Sequence, residues 1–347
     1  MDSLSANGNR SVEAWLWFSA ALVFVMIVVG GATRLTDSGL SITEWKPILG
    51  AIPPLSDADW QAVFEKYKQI PEYAIVNKGM ALADFKFIFW WEWGHRFLGR
   101  MIGLLFALPL AVFWWTGRIR AGLAPKLLGL LGLGGLQGAI GWYMVSSGLS
   151  ERVDVSQYRL ALHLCVAFAI LSLLVWLALE ERASRLSILR EVVAPRVRRL
   201  ATVLVALVFA QVALGAFVAG LKAGLVYNTW PSMNGQFIPP DYWSGDRGLR
   251  SLFESHAATQ FNHRLTAYLL GIAALAQVWL AMRHPAGGRV RRSAIVLGLA
   301  VLAQMVLGIA TLLAHVPLHL GLLHQGGAAI VMALAVWHLH ATQRATP

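Results

Sequence analysis

Apolar and polar residues alternate along the chain in eight long blocks, with apolar runs near Trp15 to Thr33, Phe89 to Thr116, Pro125 to Ser146, Tyr158 to Leu179, Ala201 to Leu221, Gln260 to Met282, Ser293 to Ala314 and Pro317 to His340. A helix rising about 1.5 Å per residue needs roughly 20 such residues to cross a hydrocarbon core about 30 Å thick. Each run therefore predicts a membrane-spanning helix. The runs are read as free of internal proline and so as unbroken. A polar stretch rich in Gly, Pro and acids follows the first run to about Phe87, with an amphipathic helix near Ala58 to Lys68. It is expected to fold over the mouth of the bundle.

Composition agrees with that pattern: 57% of the 347 residues are hydrophobic and 14% charged. Such a chain is an all-α polytopic membrane protein embedded in a lipid bilayer. A formal net charge of +11 raises the question of nucleic acid. The basic residues answer it by their position, because they crowd the connections after the second, fourth and sixth runs: Arg118, Arg120 and Lys126, then Arg182 to Arg199, then Arg283 to Arg292. This is the positive-inside pattern, so no nucleic-acid partner is inferred. Those connections and both termini are expected in the cytoplasm, and the two long loops outside. Met1 to Ala14 is short and polar, with no cleavable signal or transit segment, so the first span is expected to remain. Cys165 is the only cysteine, which excludes an intrachain disulfide and any site built on several thiolates.

The chain also repeats itself. Gly30, Gly39, Leu40 and Trp45 match Gly215, Gly224, Leu225 and Trp230 at one constant offset. His95-Arg96 matches His263-Arg264, Gln137 and Gly141 match Gln304 and Gly308, and Leu162-His163 matches Leu323-His324. A division near Arg190 gives two four-span units, residues 1–190 and 191–347. An even number of spans restores the starting side, so the halves are parallel repeats: two pseudo-symmetric four-helix bundles.

In each half one histidine begins the second span and another begins the fourth. His95 with His163, and His263 with His324, are thus expected at similar depth, where four-helix bundles build cofactor sites. Imidazole suits iron, copper and zinc alike. Zinc wants further protein ligands, and neither half repeats a Cys, Asp or Glu to supply them. Haem brings four equatorial nitrogens and needs only axial ligands, so two bis-histidine haem sites follow. Arg96 and Arg264 can reach haem propionates or snorkel to the interface. The halves differ at Glu92, which becomes Gln260. A carboxyl group a turn from the iron ligand can move protons or stabilise developing positive charge, whereas an amide can only hydrogen-bond. The first site is the better candidate for chemistry and the second for a permanently bound electron-transfer haem. The plainer role for Glu92 is an ion pair with Arg96, its i+4 neighbour. His256, His284, His315, His319, His338 and His340 do not repeat and are read as loop, interface or packing residues, His256 and His319 being candidates for a cofactor entrance.

These landmarks, with Gly30 to Thr36, Ser38 to Ser41, Trp45, Glu92 to Arg96, Asn262 to Arg264 and His324 to Gly326, resemble the haem A synthase family over nearly the whole chain. The resemblance implies haem B held in the C-terminal half by His263 and His324, and the substrate haem O in the N-terminal half by His95 and His163. It implies Glu92 as the catalytic carboxylate, and oxidation of the C8 methyl group by two successive hydroxylations to the formyl group of haem A, destined for cytochrome oxidase. The implied setting is a bacterial inner membrane. The implied partners are the haem O synthase (protohaem farnesyltransferase) and an unidentified electron acceptor; a homo-oligomer is left open, since the sequence does not identify the oligomeric state. Thr36 to Phe87 lacks the cysteine pair of some members, which places the chain with the proteobacterial and mitochondrial subgroup. The competing readings are a di-haem b electron-transfer protein linked to quinol, with no evident need for one titratable half, and a transporter, which expects helices broken near the midplane.

Overall fold

The computed structural model describes residues 8–343, apart from 147, 152, 189–192, 244, 246 and 284–287. The boundary expected near Arg190 falls outside the described residues, as does His284. The α-helices run in chain order as α1 (Arg10–Leu35), α2 (Asp57–Tyr67), α3 (Pro71–Ile75), α4 (Leu82–Trp115), α5 (Ala124–Ser146), α6 (Gly148–Glu151), α7 (Gln157–Arg185), α8 (Pro195–Gly220), α9 (Ser251–Glu254), α10 (His256–Arg283), α11 (Gly288–Leu313) and α12 (Leu318–Ala341). Eight of them are long and apolar enough to cross a membrane: α1, α4, α5, α7, α8, α10, α11 and α12. The chain is a helical, multi-pass membrane protein, with no strand among the described residues.

The spans pack in two rings. Helices α1, α4, α5 and α7 touch in that cyclic order, and α8, α10, α11 and α12 do the same. Contacts of α1 and α7 with α12, and of α7 with α8, join the rings. Cyclic order makes α4 diagonal to α7, and α10 diagonal to α12, so each diagonal pair looks across a bundle interior. The main core lies within and between the rings, around Leu16, Phe168, Leu174, Leu204, Leu297 and Met332.

One expectation fails. Pro109 lies inside α4, where proline normally removes a hydrogen bond and frees the carbonyl four residues back. That carbonyl, of Leu105, accepts the indole N–H of Trp15 at 3.1 Å. The helix stays continuous from Leu82 to Trp115 because a neighbouring span takes up the freed acceptor.

Two turns mirror each other at the loop end. The residues at Asp37 and Lys222 both adopt left-handed backbone (φ 49° and 52°) just beyond α1 and α8, at the repeat offset seen in the sequence. Their side chains pair at 3.0 Å, with Arg34 and Asp154 in the same ion cluster. The two turns are thereby joined by charge as well as by packing.

The first long loop does fold back on the bundle. Ser56 and Asp59 form a reciprocal capping box that starts α2 where its amphipathic pattern begins. Trp60, Phe64 and Tyr67 then bury against Phe85, Ile88 and Phe89 of α4. Beneath this layer Glu72 is 4% exposed, and its Oε2 has no hydrogen-bond partner. Burial, then the nearby Glu92, Asp37 and Asp154, push its carboxyl up to about 8. An unfolded glutamate titrates near about 4.3. Between those values the folded chain holds a proton that the unfolded chain has lost, so stability falls as pH rises across the window. Glu72→Gln is expected to flatten that slope, checked as melting temperature against pH in detergent.

Candidate functional site

Each of the four repeated histidines meets a glycine on a neighbouring span. A methyl group added at Gly30 or Gly215 would lie 3.1 Å from the His95 or His263 ring. At Gly141 it would lie 3.1 Å from His163, and at Gly308 2.7 Å from His324. Any larger residue would push these rings aside, which accounts for a glycine within the last two turns of each of α1, α5, α8 and α11, inside helices that glycine otherwise weakens. His95 on α4 faces across to His163 on α7, and His263 on α10 to His324 on α12, the diagonal pairs of the two rings. All four are half-buried, each keeping part of its surface accessible.

Glutamines brace three of the four. Gln137 donates to the His163 carbonyl at 3.0 Å and approaches its ring nitrogen at 3.2 Å. Gln304 does the same for His324, at 2.6 Å and 3.1 Å, and Gln211 for His263, at 3.1 Å and 3.1 Å. Met26 occupies the place corresponding to Gln211 in the first half and cannot brace His95 in this way.

The residues fit a haem. The rings of His263 and His324 are 6.5 Å apart, centre to centre, at 78°. An iron bonded to two imidazoles at about 2.0 to 2.1 Å, with about 1.1 Å more to each ring centre, would separate them by about 6.3 Å. His95 and His163 lie within electrostatic range of each other. Among the described residues no three His, Cys, Asp or Glu side chains converge on one point, so a bare metal ion has no comparable cage.

One turn from His95, Glu92 is 2% exposed. Its Oε1 accepts from Arg96, and its Oε2 accepts from Ser41 Oγ at 2.7 Å and from the Ile42 amide at 2.8 Å. The ion pair that spacing alone offered is therefore present, but it supplies only one of three donors. Arg96 also donates to the carbonyls of Ile42 and Glu44. At Gln260, also 2% exposed, the frame is similar and the polarity differs. Its Oε1 accepts from Arg264 at 2.7 Å, but its Nε2 donates to the Ala223 carbonyl at 2.8 Å. Arg264 goes on to the Tyr227 and Ser232 carbonyls, its Nε remaining buried without a partner. Both arginines thus pin a loop to a helix, and only the first pin carries a carboxylate.

Residues 13–336 match the COX15-CtaA family, described as cytochrome oxidase assembly protein. The chain belongs to this family. A protein named "Heme A synthase" from Maricaulis maris (strain MCS10) is 52% identical over 336 residues, covering 96% of this chain and 97% of its own. One of the same name from Parvibaculum lavamentivorans is 49% identical over 332 residues, covering 96% and 94%. Another from Brucella ovis is 51% identical over 345 residues, covering 97% and 93%. Within this COX15-CtaA chain the histidines outside the repeat behave as expected where contacts are seen. His338 is fully buried between Gln277, at 2.6 Å, and Ser293, at 2.8 Å. His340 lies against Glu180 and Trp176. The sequence had marked Gln137 and Gln304 as a repeat without assigning a role, and missed Gln211 because Met26 breaks that repeat. It also missed Ser41 and Ile42 as partners of Glu92, since some 50 positions separate them.

Proposed function

We propose that this membrane enzyme converts haem O to haem A, the two rings of helices acting as pseudo-symmetric halves, residues 1–190 and 191–347. Haem B is held in the second half by His263 and His324. Haem O enters the first half, where His95 and His163 flank its iron. The C8 methyl group is oxidised by two successive hydroxylations, each removing two electrons and two protons while adding a water oxygen, and the resulting diol loses water to leave the formyl group. The bound haem B supplies an electron-transfer centre. The carrying observation is the asymmetry: a buried carboxylate a turn from His95, and an amide at the same place beside His263.

The side chains divide the work accordingly. Arg96, the Ile42 amide and the Ser41 hydroxyl fix the Glu92 carboxylate in one pose, so that it can receive a proton or face developing positive charge without reorganising. Gln137, Gln211 and Gln304 set the rotation of their histidines. The Nε of Arg264, buried and unpaired, suits a haem B propionate, and Arg96 at the matching place suits a propionate of the substrate haem. The basic connections orient the protein with both termini cytoplasmic in a bacterial inner membrane. Haem O is taken over from the farnesyltransferase that makes it, and electrons pass to a separate acceptor. A quinol-linked di-haem relay is the weaker reading, since it gives Glu92 nothing to do.

Expression in a host that makes haem O and lacks its own haem A tests the reading. Appearance of haem A supports it, and haem O alone counts against it. Gln304→Leu probes the bracing: it removes the hydrogen bond to the His324 carbonyl, worth about 1 kcal/mol, and haem B affinity is expected to fall by about fivefold. Haem release to apomyoglobin measures that change.

A further inference from the structure

We infer that Ser41, the small cavity beside it and Glu44 form a proton route from Glu92 to the water at the long-loop end of the bundles. The inference rests on Glu92 being the reactive carboxylate of the first site. Each of the two hydroxylations releases protons, so a proton that reaches Glu92 must leave again before the next, while Arg96, Ser41 and Ile42 hold the carboxylate in place. Of these three neighbours, a guanidinium and an amide N–H only donate; a hydroxyl both donates and accepts. Ser41 Oγ, 2.7 Å from Glu92 Oε2, is the one contact that can hand the proton on.

Beyond Ser41 lies a cavity of about 30 Å³ lined by Ser41, Thr43, Glu44 and Lys66, with Val63 and Phe89. A polar cavity needs about 10 to 15 Å³ to hold a water, so this one has room for one or two. Its far wall is half-exposed: the side chains of Glu44 and Lys66 are 41% and 44% accessible. Lys66 at 2.8 Å and Lys46 at 3.0 Å hold the Glu44 carboxyl below its ordinary range, so it passes a proton on to solvent rather than keeping it. The relay conserves charge. The proton leaves Glu92 Oε2 for Ser41 Oγ as the Ser41 proton passes to water and then to Glu44, each O–H bond breaking as the next forms. No electron moves along it.

The second half lacks the route. At the offset that relates Gly30 to Gly215, Ser41 and Glu44 become Val226 and Thr229, and at the one that relates His95 to His263, Glu92 becomes Gln260. The second half thus keeps neither carboxylate, nor a hydroxyl at the place of Ser41.

The test uses the full chain in membranes containing haem O. Ser41→Ala is expected to keep haem B, to shift the infrared carboxylate band of Glu92, and to form haem A at least about 10-fold more slowly with a larger solvent deuterium isotope effect. Ser41→Thr, whose extra methyl group has the cavity to enter, is expected to recover most of the rate. A merely structural serine would leave the isotope effect unmoved. Haem A formation by Ser41→Ala at the parental rate, or Ser41→Thr as slow as Ser41→Ala, overturns the route. Should Ser41→Ala fail to retain haem B, Glu44→Gln decides: slower turnover supports the route, and the parental rate overturns it. If Glu92→Gln itself makes haem A normally, the reading of Glu92 fails instead, which separates the two failures.

Discussion

Glu92→Gln retains haem B and accumulates haem O, with haem A formation lowered by at least about 100-fold, the scale of a lost proton-transfer group. Two effects combine in that loss. The amide cannot take up a proton, and its single oxygen can face either Arg96 or the Ser41–Ile42 pair but not both, so a donor now bonded to Glu92 meets the N–H₂ instead. The second half serves as the internal control. Gln260 is accommodated there because Ala223 offers it a carbonyl, whereas the first half presents the Ile42 N–H. Pigment analysis of purified variant and parent checks this, and parental haem A content in the variant would remove Glu92 from the chemistry.

His263→Ala and His324→Ala produce the opposite phenotype, loss of the resident haem. Losing an outer-shell partner of a metal ligand already costs about 10 to 100-fold in affinity, and losing the ligand itself exceeds that. Haem B content of the purified protein is expected to drop by at least about tenfold in either variant. His95→Ala is expected to leave haem B in place. The reduced-minus-oxidised spectrum reads both outcomes. An unchanged haem B band in His263→Ala would mean that the halves are assigned the wrong way round.

The spans were legible because burial in lipid demands an unbroken run of apolar side chains and an internally satisfied backbone, both written locally in the sequence. Pro109 shows the limit of local reading. Its effect on α4 depends on an indole some 90 positions away reaching the Leu105 carbonyl. The histidines were legible because duplication printed them twice. Gln211 was not, because its counterpart is Met26 and nothing local distinguishes a bracing amide from one that packs between helices. Glu92 stood between these cases. Its pairing with Arg96 follows from helical spacing, but the donors that fix its other oxygen come from a loop that folds back over the bundle. That return depends on α2 burying Trp60, Phe64 and Tyr67 against α4, an amphipathic pattern the sequence displays without naming its partner.

The central claim is that one fold holds two haems between paired histidines and performs chemistry on only one of them. Acid–acetone extraction of the purified protein, with separation of the pigments, tests it most directly. Haem B together with haem O or haem A, in comparable amounts, is the result expected. Haem B alone filling both halves, with no farnesylated haem, would contradict it.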